Sequence, residues 1–285
     1  MMKVLPFKIP KPENSALVYQ EDYEDFFYGR LHQHREIQLS LIVKGEGTLV
    51  IGDSVNEFKS DDILIIGSNL PHVFKSDIME GEKSIMISLF FSKDSFGKEF
   101  FELNEFRTLL PFFKNSAYGI KVTSNKIALK QLFLKFKKAS QLDRFIIFIE
   151  ILSLIRKSKS KKLSSFVYQK NYTNNEGRRM SAVFEYTMAH FDESISLQQI
   201  ANVANMTTNS FCKYFKQRTN KTYFQFLTEL RIDHACKLLN KDLTISEIAK
   251  LSGFNNISNF NRKFKLLKKT SPLQYRLMQL HFSNE

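Results

Sequence analysis

Three histidines in the first quarter of the chain are the residues whose types and spacing could do chemistry. His32 and His34 are separated by one residue, and His72 follows a proline. Side chains two apart on a strand point the same way, so a third histidine from a later turn could complete a facial metal site. The alternative is that these imidazoles line or support a small-molecule pocket. Paired carboxylates, a glycine-rich phosphate loop and a nucleophile-elbow motif are absent from the sequence, so no other enzyme chemistry is indicated.

A second feature is the distribution of charge. The chain carries 42 Lys and Arg against 29 Asp and Glu, a formal net charge of +13. Residues 1–155 contain 20 basic and 20 acidic side chains, residues 156–177 contain six and one, and residues 178–285 contain 16 and eight. The excess therefore lies entirely after residue 155, and it favours a polyanionic partner.

Two stretches in the last third of the chain carry basic side chains and no acidic ones. There are four basic residues between Glu193 and Glu229 and seven between Glu247 and Glu285. They are Lys213, Lys216, Arg218 and Lys221 in the first stretch, and Lys250, Arg262, Lys263, Lys265, Lys268, Lys269 and Arg276 in the second. A merely solvated helix mixes both signs, because opposite charges at i and i+4 stabilise it. A surface without acids instead fits contact with phosphate.

Four capping boxes predict that residues 196–274 are helical. In each, a Ser or Thr is followed three residues later by Glu or Gln, a pair that satisfies backbone donors at a helix start. The pairs are Ser196 with Gln199, Thr222 with Gln225, Thr244 with Glu247, and Ser271 with Gln274. The repetition carries the prediction, since a single such pair is common by chance.

The same region contains an internal repeat with an offset of 48 to 49 residues. The repeated elements are Ile200-Ala201 with Ile248-Ala249, Phe211 and Phe215 with Phe260 and Phe264, and Phe226 with Tyr275. Each unit is predicted to be a capped helix, a tight turn with Asn205 or Gly253, and a second helix that packs its apolar face inward. This is a helix-turn-helix. A repeat without DNA binding is the alternative, and the acid-free stretches favour DNA.

The segment from Gln38 to Phe91 is predicted to form short strands. Leu39, Leu41 and Val43 alternate with other residues, residues 45–47 form a turn, and residues 63–66 are a continuous apolar run. Short strands at this spacing indicate a barrel or a sandwich. Two amphipathic helices are predicted after them, over residues 125–138 and 142–156. They could cover the barrel or pair with a second subunit, and the pattern leaves both alternatives open.

Length and composition predict two domains and exclude several classes of protein. A chain of 285 residues with 43% apolar residues can bury two cores. Residues 156–177 are polar, basic and aperiodic, which predicts an exposed linker between domains over residues 1–155 and 178–285. Cys212 and Cys236 match neither a disulfide framework nor a zinc pattern. No signal peptide and no apolar run of about 20 residues is found, so we expect a soluble cytoplasmic protein.

Over residues 180–280 the sequence resembles the AraC family of transcription regulators. The matching stretches are residues 197–204, 207–215, 230–239, 245–249, 253–260 and 271–276. Three positions depart from the family pattern: Thr207 replaces a serine, Phe211 replaces a leucine, and Lys269 stands where a glycine commonly precedes the final Ser/Thr-Pro.

The N-terminal histidines resemble the two motifs of a cupin barrel. The resemblance includes the turns at residues 45–47 and 61–62 and the stretch 69–72. Metal-binding cupins place a glutamate after the histidine pair, whereas this chain has Gln38, with Glu36 close by. That departure disfavours a metal, so we expect a small-molecule pocket there and assign no metal and no cofactor.

The resemblance implies a multidomain fold. An N-terminal cupin-like β-barrel with flanking α-helices, over residues 1–155, binds the effector and dimerises. A basic linker, 156–177, leads to a C-terminal all-α double helix-turn-helix, 178–285, in which a long helix over roughly 223–239 joins the two units. The two recognition helices are expected to enter successive major-groove segments about 34 Å apart.

Side chains of the recognition helices that do not pack must then face the DNA. The residues predicted to face bases are Asn209, Cys212, Lys213, Ile257, Ser258, Asn261 and Arg262. Those predicted to contact phosphates are Lys216, Lys221, Lys263 and Lys265. The residues predicted to line the effector pocket are His32, His34, Gln38 and His72. Arg262 is suited to guanine, Asn209 or Asn261 to adenine, and Ile257 to a thymine methyl.

We therefore expect a sequence-specific transcription regulator without catalytic residues, whose DNA binding or activation responds to a small-molecule effector. Sugars are a common effector class in the resembled family. The expected partners are duplex DNA, the effector, a second copy of the chain and RNA polymerase, with no membrane. Two alternatives were weighed: a metal-cupin enzyme with a helical appendage, which stoichiometric metal would favour, and an RNA-binding or architectural protein, for which the sequence lacks an aromatic stacking signature.

Overall fold

The computed structural model describes residues 16–25, 27, 29–77, 82–165, 167 and 174–282. The chain divides into two structural units at Gly177 and Arg178. The first unit is rich in strands and the second is helical. The predicted fold class is confirmed.

Within the described residues, nine strands form two antiparallel sheets. They are β1 (Val18–Glu24), β2 (Ile37–Lys44), β3 (Gly47–Ile51), β4 (Ser54–Phe58), β5 (Ile63–Ile66), β6 (His72–Ser76), β7 (Ser84–Phe91), β8 (Ile120–Val122) and β9 (Ser160–Lys162). The larger sheet has the order β1-β7-β2-β5-β8-β9, and the smaller has the order β4-β3-β6.

The central strands of the larger sheet, β2, β5 and β7, are buried on both faces. Leu39 and Leu41 of β2 belong to a core that also contains the helices, whereas Ile42 belongs to a second core shared with the smaller sheet. β5 divides in the same way, with Ile63 and Ile65 on one side. Two buried faces explain why Ile63–Ile66 is apolar at every position rather than alternating.

Three α-helices follow the barrel strands: α1 (Leu110–Ser116), α2 (Lys126–Phe136) and α3 (Gln141–Lys157). Short 3-10 segments, Phe100–Glu102 and Asn104–Leu109, precede them. The two amphipathic helices predicted over 125–138 and 142–156 are confirmed as α2 and α3. Their buried side chains, including Leu129, Phe133 and Phe148, share a core with the larger sheet, so these helices do cover the barrel.

The segment expected to be a linker begins inside folded structure. α3 continues to Lys157, and β9 pairs with β8 at the edge of the larger sheet. All three residues of β9 are exposed. Edge strands are often short and rich in lysine, because lysine at a sheet edge blocks further pairing. Such a strand therefore has the same composition as a solvated linker. Composition alone therefore could not distinguish the two.

The second unit consists of helices connected by short turns. They are α4 (Asn174–His190), α5 (Leu197–Val203), α6 (Thr208–Thr219), α7 (Tyr223–Leu238), α8 (Ile245–Leu251), α9 (Ile257–Lys268) and α10 (Pro272–Phe282). The long connecting helix predicted over roughly 223–239 is α7. Among the described residues, no helix is both long and apolar enough to span a bilayer.

All four predicted capping boxes are confirmed. In α5, α7 and α8 the N-cap hydroxyl accepts a hydrogen bond from the third helical N–H, and the third side chain bonds back to the N-cap N–H. Before α10, Gln274 N donates to Ser271 Oγ at 3.2 Å, and Ser271 N donates to Gln274 Oε1 at 3.3 Å.

The predicted repeat packs as two similar aromatic cores. Phe211 and Phe215 of α6 and Phe260 and Phe264 of α9 are each 0% exposed. Ala201 and its counterpart Ala249 are also buried, which allows close approach of neighbouring helices. The assignment of these phenylalanines to the core is confirmed.

Lys269 ends α9 in the left-handed conformation. Its φ is +63°, and its N–H donates to Lys265 O. An L-residue with a side chain is disfavoured in this conformation, which glycine adopts freely. The chain therefore makes the same left-handed turn after α9 that a glycine would make, but with backbone strain at Lys269.

We expect Lys269→Gly to raise the free energy of unfolding by about 0.5–1 kcal/mol, because it relieves this strain. Urea unfolding followed by far-UV circular dichroism, without DNA, measures the effect. Lys265→Gly is the matched control: it lies within the helix and should instead cost about 0.5–1 kcal/mol. A Lys269→Gly variant as destabilised as the control would contradict this account.

Candidate nucleic-acid interface and barrel pocket

Helices α6 and α9 occupy equivalent places in the two helix-turn-helix units. Each follows a tight turn with a positive φ, at Asn205 (+52°) in the first unit and at Gly253 (+79°) in the second. Each begins at a side-chain cap, Thr207 for α6 and Asn256 for α9. The turn residues predicted from the repeat are confirmed.

One face of α6 is exposed and carries no acidic side chain. Asn209, Cys212, Lys213 and Lys216, at spacings of three and four residues, are all exposed. The opposite face contains the buried Phe211 and Phe215. The structure therefore brings the three predicted base-facing residues and one predicted phosphate contact of this unit together.

The corresponding face of α9 carries Ser258, Asn261, Arg262 and Lys265, all exposed. Ile257, in the first turn, is 44% exposed. No acidic side chain occurs on α9 either.

The exposed Asn259 was not singled out from the sequence. Its Oδ1 accepts a hydrogen bond from Arg262 Nη2 at 3.0 Å and so holds the guanidinium at the helix surface. The only sequence signal for this role was the three-residue spacing, which brings two side chains together on one helix.

Two of the predicted phosphate contacts, Lys221 and Lys263, lie in a different environment. They line a groove that also includes Leu266 and Leu267. Lys221 Nζ is 2.8 Å from Glu229 Oε2, and both side chains are largely covered. Lys221 is therefore paired with a carboxylate eight residues further on, a partner that sequence spacing did not identify.

Arg231 of α7 links the two helix-turn-helix units. Its Nε donates to Phe191 O and its Nη2 donates to Glu193 O, both at 2.6 Å, which fixes the loop between α4 and α5. A Cβ at Gly253 would lie 2.8 Å from Arg231 Nε and 2.8 Å from Phe191 O. The turn of the second unit thus packs on the arginine that holds the start of the first.

In the barrel, the three histidines form a single cluster. One ring nitrogen of each lies within 4.8 Å of the other two. The ring centroids of His32 and His72 are 4.2 Å apart, and those of His34 and His72 are 5.2 Å apart. The expectation that His32 and His34 share a strand is wrong, because β2 begins only at Ile37. They meet instead because His32 forms an isolated backbone bridge with His72.

Each histidine bonds through Nδ1 to a backbone carbonyl. His32 bonds to Arg30 O at 2.8 Å, His34 to Glu36 O at 2.9 Å, and His72 to Leu70 O at 2.8 Å. Burial lowers the pKa of all three, to about 4 for His32 and well below 6.5 for His72. The imidazoles are therefore neutral at neutral pH. In His32 and His72 the proton is on Nδ1, which donates to the carbonyl, and Nε2 carries a lone pair.

Gln38 joins this cluster to a buried polar network. Its side-chain amide is 3.1 Å from His34 Nε2, and it also contacts the hydroxyls of Ser40 and Ser88. Gln38 Nε2 donates to both hydroxyls, so the atom that faces His34 is Gln38 Oε1, which accepts a hydrogen bond when His34 Nε2 carries the proton. The structure thus brings all four predicted pocket residues together. His72 Nε2 remains buried without a hydrogen-bond partner.

Two family models match the chain, one in each domain. The AraC-like ligand binding domain matches residues 15–89, and a helix-turn-helix domain matches residues 200–278. Together these matches span more than half of the chain.

Two relatives carry the name of HTH-type transcriptional regulators. The uncharacterised HTH-type transcriptional regulator YdeC of Bacillus subtilis is 26% identical over 262 residues, which cover 88% of this chain and 87% of the relative. A Staphylococcus aureus HTH-type transcriptional regulator, SACOL0084, is 30% identical over 110 residues. That match covers 38% of this chain and only 15% of the relative.

Two solved structures are also similar to the chain. An apo ToxT variant from Vibrio cholerae covers 94% of this chain and 99% of its own, with 14% identity and a TM-score of 0.37. The DNA-binding domain of AdpA in complex with a target DNA covers 34% of this chain and 87% of its own, with 26% identity and a TM-score of 0.33.

A barrel that contains a buried polar cluster, followed by a pair of helix-turn-helix units, defines a DNA-binding transcription regulator with a ligand-binding domain. Because one family model matches each of these domains, the chain belongs to the AraC family of transcription regulators.

We expect Gly253→Ala to lower the free energy of unfolding of the helical domain by more than about 2 kcal/mol, since it combines backbone strain with a clash against Arg231 and Phe191 O. Gly97→Ala is the matched control, because Gly97 also has a positive φ (+104°) but nothing lies within 4 Å of its added Cβ. Denaturant unfolding measures both variants. Equal losses would mean that the packing on Arg231 contributes nothing.

Proposed function

We propose that this regulator binds specific duplex DNA through the exposed faces of α6 and α9. We further propose that a small-molecule effector in the barrel, with a carbohydrate as one class, modulates DNA binding or activation. The observation that carries the proposal is the pair of equivalent helix faces, exposed and free of acidic side chains. Such faces suit a surface held against phosphate and base edges.

Within these faces we propose distinct roles. Arg262, oriented by Asn259, donates to guanine; Asn209 and Asn261 suit adenine, and Ile257 suits a thymine methyl. Cys212, Lys213 and Ser258 complete the base-facing sets. Lys216 and Lys265, at the ends of the exposed faces, contact phosphates, joined by Lys263 and by Lys221 once it exchanges Glu229 for a phosphate.

The pocket in the barrel is proposed as the effector site. It is formed by Gln38 and the three histidines, and a ligand that enters it exchanges the bonds of Gln38 to His34 and Ser40 for bonds to itself. A ligand that makes this exchange shifts the domain toward a different conformation to the extent that it binds that conformation better.

Contacts after β9 support transmission of such a change. Asp53 accepts hydrogen bonds from Ser164 Oγ at 2.8 Å and from Ser165 N at 2.9 Å, and Asn56 Nδ2 donates to Leu163 O at 3.0 Å. Residues 163–165, which lead toward the helical unit, are thereby held to the barrel. A shift of the β3–β4 turn, which contains Asp53, would therefore displace residues 163–165 at the start of the linker.

We propose that the chain acts as a homodimer through α2 and α3. Each helix leaves apolar side chains exposed on one face: Ile127 (78%) and Leu134 on α2, and Leu142 (68%) and Ile146 on α3. Exposed apolar side chains at helical spacing suit a second copy of the same pair of helices. We place the dimer in the cytoplasm, with RNA polymerase as a further partner and no enzymatic role.

Genome-wide mapping of bound DNA in the native host tests the proposal and supplies operator sequences. Fluorescence anisotropy of purified protein on those sequences then measures affinity at several salt concentrations. Specific, salt-sensitive binding is expected. Binding that does not distinguish an operator from scrambled DNA would favour an architectural protein instead.

Arg262→Ala should relax base preference at a single operator position by about 1–3 kcal/mol, because one bidentate contact is lost. Anisotropy with all four base pairs at each position measures the preference. An unchanged preference profile would reject the assignment of Arg262.

Lys265→Ala should weaken binding to all sequences similarly and reduce the slope of log affinity against log salt by about 1, because one phosphate contact is lost. Lys241→Ala is the control, since Lys241 is exposed but lies outside both recognition helices. A sequence-dependent loss, or an equal loss in the control, would contradict the role.

Leu142→Glu with Ile146→Glu should weaken dimerisation by well over ~100-fold, because a homodimer loses both side chains from each protomer and each buried apolar side chain contributes about 1.5 kcal/mol or more. Light scattering coupled to size-exclusion chromatography measures the oligomeric state. Leu103→Glu with Leu110→Glu is the control, because these residues are exposed outside α2 and α3. An unchanged dimer in the first variant would place the interface elsewhere.

A further inference from the structure

We propose that the barrel binds one divalent transition-metal ion through His32, His34 and His72. The sequence alone disfavoured a metal, since Gln38 stands where a carboxylate was expected. The geometry of the folded cluster points the other way. Metal binding itself is independent of the proposed regulation, whereas the use of the ion as an effector, or as an anchor for one, rests on the proposed function.

The first observation is the convergence of three ring nitrogens. One nitrogen of each histidine lies within 4.8 Å of the other two. Tetrahedral binding with metal–nitrogen distances near 2.0–2.1 Å places ligand nitrogens about 3.4 Å apart. The cluster therefore needs to contract by about 1.4 Å at most, which small rotations of the imidazole rings can supply.

The second observation is that each imidazole is already oriented by a backbone carbonyl. Nδ1 of His32, His34 and His72 bonds to Arg30 O, Glu36 O and Leu70 O, respectively. Metal-binding histidines almost always donate their second N–H in this way, which fixes the tautomer and directs the other nitrogen at the ion. His32 and His72 thereby direct Nε2 lone pairs into the cluster, and His34 supplies its Nε2 once it gives up the hydrogen bond to Gln38 Oε1.

The third observation is the unpartnered nitrogen of His72. The residue is 0% exposed, and its Nε2 has no hydrogen-bond partner. Buried polar atoms are nearly always satisfied, so an orphan inside a polar cluster indicates a missing ligand. An ion at the centre of the cluster would provide it.

The donor set also limits the kind of ion. Three imidazoles suit Zn²⁺, Co²⁺, Ni²⁺ and Cu²⁺ and are poor ligands for Mg²⁺ and Ca²⁺. To bind, His34 must exchange its hydrogen bond to Gln38 for the metal, which frees the Gln38 amide beside the ion. A fourth position is then left for the amide oxygen, water or a donor group of an effector.

The test uses tag-free, full-length protein stripped with a chelator. Titration with Co²⁺ is followed by visible absorption, and titration with Zn²⁺ by calorimetry. One equivalent of each ion is expected in the wild-type protein. His72→Gln and His32→Gln should weaken binding at least about 100-fold, because loss of a ligand exceeds the 10–100-fold effect of losing a ligand's supporting hydrogen bond. His190→Gln, a half-exposed histidine of the helical unit, is the control and should bind normally.

Absence of stoichiometric binding by the wild-type protein, or unchanged affinity in both barrel variants, would overturn the proposal. Near-UV circular dichroism of the metal-free variants shows whether they fold. X-ray absorption of the wild-type complex provides a test that needs no variant: three imidazole ligands are expected, and one or none would refute the site.

Operator affinity with and without Zn²⁺ separates this site from its regulatory use. A change in the wild-type protein that is absent in His72→Gln supports an effector role. Stoichiometric binding without any change in DNA affinity leaves the metal site standing and rejects that role. A protein that binds the metal but no DNA contradicts the proposed function alone.

Discussion

The arrangement of the helical domain depends on the contacts of one side chain, Arg231, with the loop before α5 and with the turn before α9. Two charge-assisted hydrogen bonds from one guanidinium hold the Phe191 and Glu193 carbonyls, and Gly253 packs directly against that guanidinium. α7 also supplies buried side chains to both aromatic cores. Packing on this one central helix therefore fixes the orientation of both recognition helices. Two recognition helices that enter successive major-groove segments need a fixed relative orientation, because a small rotation of either helix would misplace its base-facing side chains.

The barrel is organised by a different constraint, the burial of the central strands of the larger sheet on both faces. The outer face of β2 and β7 is covered by α2 and α3, and the inner face of the same strands carries Gln38, Ser40 and Ser88, which bond to one another. A polar network within an apolar barrel must be fully paired or hold a ligand. His72 Nε2 is the atom of this network that has no hydrogen-bond partner, so it is the atom for which a ligand is required.

Much of the helical domain could be predicted from residues close together in sequence. The capping boxes, the turns at Asn205 and Gly253 and the exposed faces of α6 and α9 depend on spacings of three or four residues. Contacts outside that range were missed. The pairing of Lys221 with Glu229 altered the surroundings of a predicted phosphate contact, and the pairing of β9 with β8 made an edge strand of a predicted linker.

The sequence by itself determined the capped helices of the second unit, the strands between Gln38 and Phe91, the apolar faces and the distribution of positive charge, because periodicity, capping and composition are local properties. Only the tertiary structure decided that His72 closes on His32 and His34 across about forty residues of chain, and that Arg231 joins the two repeats. Such proximity depends on strand register and helix packing. These depend on the burial of both cores at once, and no local pattern contains that information.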